Sequence, residues 1–457
     1  MAAFDLALSR VQHGADDFLL PARINQLARQ RGLQFRNTTL TPGNTLRLFV
    51  QQIAHGNVSC WSVRHLAGEE FTDAAWCQAR ARLPLPVIQD LHHSIVEVAR
   101  QQSQATAPHH PEARWHGHRV FVIDGTSDSM PDTPELRAHY GVSSECRDGL
   151  GFPISHLLLM MDHHSGVMVD CVDSPLNTSD LSQTPPMHRH LSKGDILLAD
   201  VAFAGWAHLA LILQAHLHAV MPVHHRRIVD FSPQREHAHP RRGKATSRCG
   251  KPRSRVVQTL GTDDQVVESF KPRQKPAWMS AEQWAALPES IRLREIRRTV
   301  ARPGFRPINV TIVTTLLDPE AYPAEELVEL RLTRWLIETN FRHLKITLGM
   351  DVLKCKTLAG IRKERWIFLI VYNLIRLAML RAARRQGSNV QRLSFADTLA
   401  WLRWGALELP VALVVNPVRG FRLEPRAIKR QKKEFPYMTK PRAVLKLELR
   451  EKYGVTN

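Results

Sequence analysis

The chain has 457 residues, more than one small core requires, so two or three domains are expected. Hydrophobic residues make up 44% and charged residues 23%, a globular balance that excludes a disordered chain. Lys and Arg number 62 against 43 Asp and Glu, and the net charge of +19 points to a polyanionic partner, nucleic acid before membrane. The six cysteines form no Cys-x-x-Cys pair, which argues against a zinc ribbon or disulfide framework and for a reducing cytoplasm. Met1 to Leu20 has no apolar run behind basic residues, so no signal peptide is expected.

Residues 38–101 read as helices. Thr41-Pro42 is a cap followed by proline at the first helical position, and Leu46, Phe49, Val50 and Ile53 repeat at helical spacing up to Gly56-Asn57. A short segment spans Trp61 to Leu66. Thr72 caps a third helix that stops at Pro84, and Val87 to Arg100 makes a fourth. Tight turns between short helices suit a helix-turn-helix with Gln78, Arg80 and Arg82 facing DNA, and suit equally a bundle with a solvated basic face. Residues 102–117 read as a linker. Arg119 to Ile123 is a β-prone run ending on Asp124-Gly125-Thr126. Ile154 to Met161 and Val167 to Val172 flank a hairpin signal, and Ile196 to Ala199 is a strand ending on Asp200. A helix over Gly205 to Leu217 and a strand over His218 to Val223 complete an α/β order with a mixed sheet.

Residues 224–275 hold 13 Lys/Arg against five Asp/Glu, and Asn416 to Asn457 hold 12 against four. The positive charge is therefore concentrated, as in a nucleic-acid footprint. Strand character resumes at Leu293 to Val300 and Ile308 to Leu316. Glu325 to Leu348 reads as one long amphipathic helix. Trp366 to Leu380, the most apolar stretch, contains Asn373 and Arg376 and reads as a buried helix too short to cross a bilayer.

Asp124 and Asp200 each close an expected strand of one sheet, where α/β proteins gather ligands. Two carboxylates held close suit a hard divalent cation, although either alone is a common turn former. On the long helix, steps of three and four put Arg331, Arg334, Glu338 and Lys345 along one face. Beside two metal-binding aspartates, that face would be a phosphodiester site with the bases holding DNA. Asp195 begins its strand and so lies at the wrong end of the sheet, and Asp128 and Asp132 are expected to shape a loop. The paired histidines, among them His163-His164 and His188/His190, lack the tight four-ligand grouping of a zinc site. Trp278 and Trp284 are read as packing residues before base-stacking ones. No Walker-type loop is present, so no nucleotide cofactor is expected.

These residues resemble the DDE transposases of insertion sequences, in the IS-four family marked by Tyr-x-x-Arg-x-x-x-Glu-(six residues)-Lys. Arg334, Glu338 and Lys345 match that spacing, and Arg331 stands where the signature has tyrosine. Further matches are Cys77 to Pro84, Asp124-Gly125-Thr126, Met130 to Pro134, Gly151-Phe152-Pro153 and Leu197 to Asp200. Thr314 to Asp318, Leu348 to Asp351 and Tyr372-Asn373-Leu374 complete the series, which runs from about residue 40 to the end. Val201 stands where relatives often carry a basic residue.

The resemblance implies a ribonuclease-H-like core interrupted by a β-rich insertion. The expected regions are a helical DNA-binding part and linker at 1–117, core at 118–223, basic insertion at 224–307, core with the Glu helix at 308–385, and a basic C-terminal region at 386–457. Asp124, Asp200 and Glu338 would hold two Mg²⁺ ions, or Mn²⁺. Arg331, Arg334, Arg342 and Lys345, with Arg80 and Arg82 further off, would hold double-stranded DNA. The implied reaction cuts the element ends and joins the freed 3′-OH to target DNA, with the chain a homodimer on DNA in the cytoplasm at the nucleoid. A non-cutting copy that represses its element, and a cellular nuclease on the same core, are the other readings. The intact carboxylate set stands against the first, and a strand-transfer product would separate the second.

Overall fold

The computed structural model describes residues 18–68, 70–106, 114–143, 151–224, 227–232, 234–238, 250–301, 307–404 and 440–454. His109, His110, His225, His239, Cys146, Cys249 and most of the basic tail lie outside them. The fold is mixed α/β, built on one nine-stranded mixed sheet in the order β3-β2-β1-β4-β5-β9-β8-β7-β6. The strands are β1 (Val120–Ser129), β2 (Ile154–Asp162), β3 (Met168–Pro175), β4 (Ile196–Leu198), β5 (His218–Pro222), β6 (Ser254–Gly261), β7 (Asp264–Phe270), β8 (Ser290–Val300) and β9 (Ile308–Thr314). β1, β4 and β5 are parallel, and every other pairing is antiparallel. Strands β6 to β8, from the basic segment, extend the sheet beyond β9.

Alternation along the strands sorts side chains to two faces. On β2, Leu157, Leu159 and Met161 join one apolar core, while Leu158 and Met160 join another. The first core is packed by the helices Pro21–Gln30, Pro42–Ala54 and Leu85–Thr106 and by Leu358–Gln386. The second is capped by helix Trp206–Gln214. The N-terminal helices thus share a core with the sheet and the long C-terminal helix. Their starts follow capping chemistry: the side chains of Thr41 and Thr72 accept from the amides of Asn44 and Ala75.

Three sequence expectations change. The first strand does not end at Asp124, because β1 keeps pairing with β2 as far as Ser129. The span 325–348 is not one helix. It divides into Ala324–Leu332, Trp335–Arg342 and a π turn, His343–Thr347. At the division the Thr333 hydroxyl donates back to the Leu330 carbonyl and meets His163 Nε2, a local bond that competes with helix continuation. The apolar stretch belongs to a 29-residue helix, Leu358–Gln386, which by length and composition is long enough to cross a membrane, yet most of it is buried inside the protein.

That helix carries polar groups into the core with their partners. Arg365 pairs with Asp128. Asn373 clasps both backbone groups of Met168. Arg376 donates to the Ser165 carbonyl beside Gly166, whose positive φ and close approach leave no room for a side chain.

Candidate active site

Sheet register builds the site. The parallel pairing of β1 with β4 ends at Val122 and Leu198, so two residues further on Asp124 and Asp200 lie level with each other. On β1, Val120 and Val122 face the first core, and alternation puts Asp124 on the same face. The helix Trp335–Arg342 packs there through Ile337 and Phe341. Its Glu338 stays 63% exposed, at the open side of the cluster.

One arginine bridges two of the carboxylates, and a second stands against the third. Arg334 Nη1 lies 2.5 Å from Asp124 Oδ2, and its Nη2 lies 2.9 Å from Glu338 Oε1. Arg331 Nη2 lies 3.7 Å from Asp200 Oδ1. Lys345 Nζ donates to Thr126 Oγ1 at 3.3 Å, two residues along β1 from Asp124. The helix division therefore does not scatter the basic face. The Nε atoms of Arg331 and Arg334 are buried and have no hydrogen-bond partner.

Burial pushes the Asp124 carboxyl above its ordinary range, and the charge of Asp200 adds to this. Arg334 and the Gly125 amide pull the other way. Burial and the neighbouring Arg334 work against the charge on Arg331, while Asp200, Asp124 and Glu338 support it. These five groups form one electrostatic unit.

The other expected DNA-binding residues lie elsewhere. Arg342 is exposed on the flank of the Glu338 helix, and Arg82 is exposed at the end of Asp73–Arg82. Arg80 turns inward. Its guanidinium donates to Cys60 Sγ at 3.1 Å and Cys77 Sγ at 3.6 Å, and it lies 4.0 Å from Cys355 Sγ. Cys77 stands one helical turn before Arg80, a spacing visible in the sequence, whereas Cys60 and Cys355 come from other stretches of chain. Asp195 is paired to Arg119 at the opposite end of β4, and Asp128 to the buried Arg365. Trp284 packs edge-on against Trp206 and under Lys271.

Sequence reasoning assigned no role to Tyr372, although it lies in a quoted motif. Its hydroxyl lies 2.7 Å from Asn340 Oδ1 and 2.9 Å from the Gly166 carbonyl, with one proton shared between the two acceptors. Asn340 sits two residues after Glu338, so this bond fixes the Glu338 helix to the core.

The family model described as Transposase DDE domain matches residues 115–374. The chain belongs to the DDE transposases. "Transposase InsG for insertion sequence element IS4" of Escherichia coli strain K12 is 22% identical over 385 residues, covering 79% of this chain and 78% of InsG. These two matches support membership of the IS4 family. "Putative transposase InsZ" of the same strain is 30% identical over 90 residues, 20% of this chain and 30% of InsZ. The cryo-EM structure of the piggyBac transposase synaptic complex with hairpin DNA aligns at a TM-score of 0.40 and 10% identity, over 88% of this chain and 78% of that one.

A DDE domain implies dependence on a divalent metal. In kind, three carboxylates fit such a hard cation. In the arrangement seen, no three His, Cys, Asp or Glu side chains among the described residues stand close enough to share an ion. The Arg334 guanidinium bridges Asp124 and Glu338 instead, and Arg331 stands beside Asp200.

Proposed function

We propose that this transposase serves a bacterial insertion sequence, binding its terminal inverted repeats, cutting at the element ends and joining the 3′-OH to target DNA. The observation that supports the reading is that Asp124, Asp200 and Glu338, from three separate elements, each lie against Arg331 or Arg334 at one end of the parallel strands. The strand order β3-β2-β1-β4-β5, with β2 reversed, supports a ribonuclease-H-like core. The regions proposed from sequence, with the basic insertion at 224–307, stand with it.

In this reading Asp124, Asp200 and Glu338 hold Mg²⁺, with Mn²⁺ as substitute and two ions in all. The metal supplies charge neutralisation and a more acidic attacking water or 3′-OH. The chain's own residues do the rest. Asp124 is held within β1 opposite Leu159, and Asp200 stands two residues beyond β4, where its carbonyl accepts from the Phe203 amide, so the backbone of two of the three ligands is set before DNA arrives. Arg331 and Arg334 present planar forks that match phosphate oxygens, and Lys345 adds a point charge beside Thr126. Arg342 and Arg82 extend the basic track along the duplex, and Arg80 stiffens the helix that carries Arg82. Cutting two ends together calls for a homodimer on DNA. Without a nucleotide cofactor, the energy of joining comes from the phosphodiester exchanged. The working compartment is the cytoplasm, at the nucleoid.

The test incubates purified protein and Mg²⁺ with a DNA fragment carrying the gene and its native flanks. Paired cuts at both ends of an inverted repeat are expected, lost in Glu338→Ala and Asp124→Asn while DNA binding survives. Full cleavage by either variant would sink the assignment. Binding without any cutting by the unaltered chain would favour a repressor copy.

A further inference from the structure

The cluster is nearly self-neutral. Three carboxylates face two guanidinium groups, and each carboxylate lies within 3.7 Å of an arginine nitrogen. Arginine does not lose its proton to make way. A divalent cation entering the cluster as it stands would meet two fixed positive charges a few ångströms away, in a partly buried setting where screening is weak. The arginines are only 15% and 12% exposed, so they cannot step aside into water cheaply.

What would draw them off is a second anion of matching shape. Both arginines keep a buried, unpartnered Nε. An unmade bond of that kind carries a desolvation cost. A phosphodiester offers two oxygens to a guanidinium fork, using Nε together with one Nη. We propose that Arg331 and Arg334 are an internal counter-charge that closes the carboxylate cluster to metal until DNA phosphate takes the arginines, so that metal and DNA binding are coupled. The inference rests on the three-carboxylate reading above. Arg331 sets the strength of the gate, because it is the position where the family signature carries an uncharged tyrosine. Each ligand then tightens the other by the same factor. A protein without DNA stays metal-poor.

The experiment measures Mn²⁺ binding to the full chain by electron paramagnetic resonance of the free ion, with and without a linear duplex carrying the native flanks. The unaltered chain should bind Mn²⁺ about tenfold more tightly with DNA, as expected for relieving one nearby like charge in a screened site. Arg331→Tyr and Arg331→Ala should each tighten binding about tenfold without DNA, and DNA should then add less. The exposed Arg392→Ala removes the same formal charge elsewhere and should change nothing. Equal affinity in Arg331→Ala and the unaltered chain, with binding lost in Asp124→Asn, would overturn the gate and leave the carboxylate triad standing. Equal tightening by Arg392→Ala would also overturn it, as an effect of net charge. Undiminished Mn²⁺ binding by Asp124→Asn would remove the triad and the gate together.

Discussion

Asp128 lies four residues beyond Asp124 on the same strand face, and the two aspartates should fail in opposite ways. Asp128 is fully buried and takes Arg365 in two bonds, from Nε at 2.9 Å and Nη2 at 3.0 Å. The Arg365 side chain is 2% exposed. Asp128→Ala leaves a guanidinium in the core with Ser155 Oγ at 2.9 Å and Asp173 at 3.6 Å. Removing one partner of a buried ion pair costs about 3–5 kcal/mol. The two remaining contacts place this case near the lower end, about 3 kcal/mol, or roughly a hundredfold in the unfolding equilibrium. Urea unfolding followed by far-UV circular dichroism reads it as a lower midpoint at unchanged slope. The double variant Asp128→Leu/Arg365→Met should recover most of the loss, since apolar replacements of buried pairs are often neutral. An unchanged midpoint in Asp128→Ala, or a double variant that falls by the sum of both singles, would refute the reasoning. Asp124→Asn should instead unfold like the unaltered chain and lose cleavage.

Three further outcomes are expected. Tyr372→Phe leaves Asn340 and the Gly166 carbonyl without their shared donor, costing about 1–3 kcal/mol in thermal stability. It should also slow cleavage by loosening the Glu338 helix, and an unchanged rate would mean that this bond does not position Glu338. Gly166→Ala would drive a Cβ into the buried Arg376 guanidinium at a positive φ, so poor folding is expected, read as a lost soluble yield or a lowered melting temperature. Burial pushes His92 and His208 each down to about 3, with the charges of His93 and His188 respectively adding to it. Both are neutral in the fold, and the unfolded chain takes up their protons below about pH 6.5. Their stabilisation is thus complete above that pH and falls on acidification toward pH 3, on the order of 1 kcal/mol per pH unit for each. A melting temperature that stays flat from about pH 7 to 5 would contradict this.

Local signals carried much of the architecture. Thr41-Pro42 and Thr72 marked helix starts, and Asp162 to Gly166 marked the β2–β3 hairpin, because caps and turns depend on neighbours in sequence. The end of the first strand was misplaced because β1 outruns its partner β4, and only pairing with β2 shows this. The division of the Glu338 helix was hidden because its cause includes His163, which is 170 positions away. The same holds for Arg80. A basic residue on a short helix reads as solvated or DNA-facing, and its sulfur partners Cys60 and Cys355 come from other stretches of chain. Helix Leu358–Gln386 starts ahead of the apolar stretch Trp366 to Leu380 because the charged Lys363, Glu364 and Arg365 before it are buried with partners in Ala81, Cys355 and Asp128, of which Ala81 and Asp128 lie far away in sequence.

The division of the helix also bears on the chemistry. In one unbroken helix Arg334 and Glu338 would stand one turn apart and present their charges along a common line. With the break, Arg334 is the N-cap of the Glu338 segment and reaches across to Asp124 while still touching Glu338. One side chain thereby reports on both the strand-borne and the helix-borne carboxylate. If phosphate binding turns Arg334, it releases both at once, whereas Arg331 releases only Asp200. Arg334→Ala should therefore combine two effects that Arg331→Ala separates: easier access for the metal and a weaker hold on DNA. Mn²⁺ affinity without DNA should rise in both variants, and DNA affinity without metal should fall more in Arg334→Ala. The reverse order of DNA affinities would show that Arg331, not the signature arginine, is the main phosphate contact.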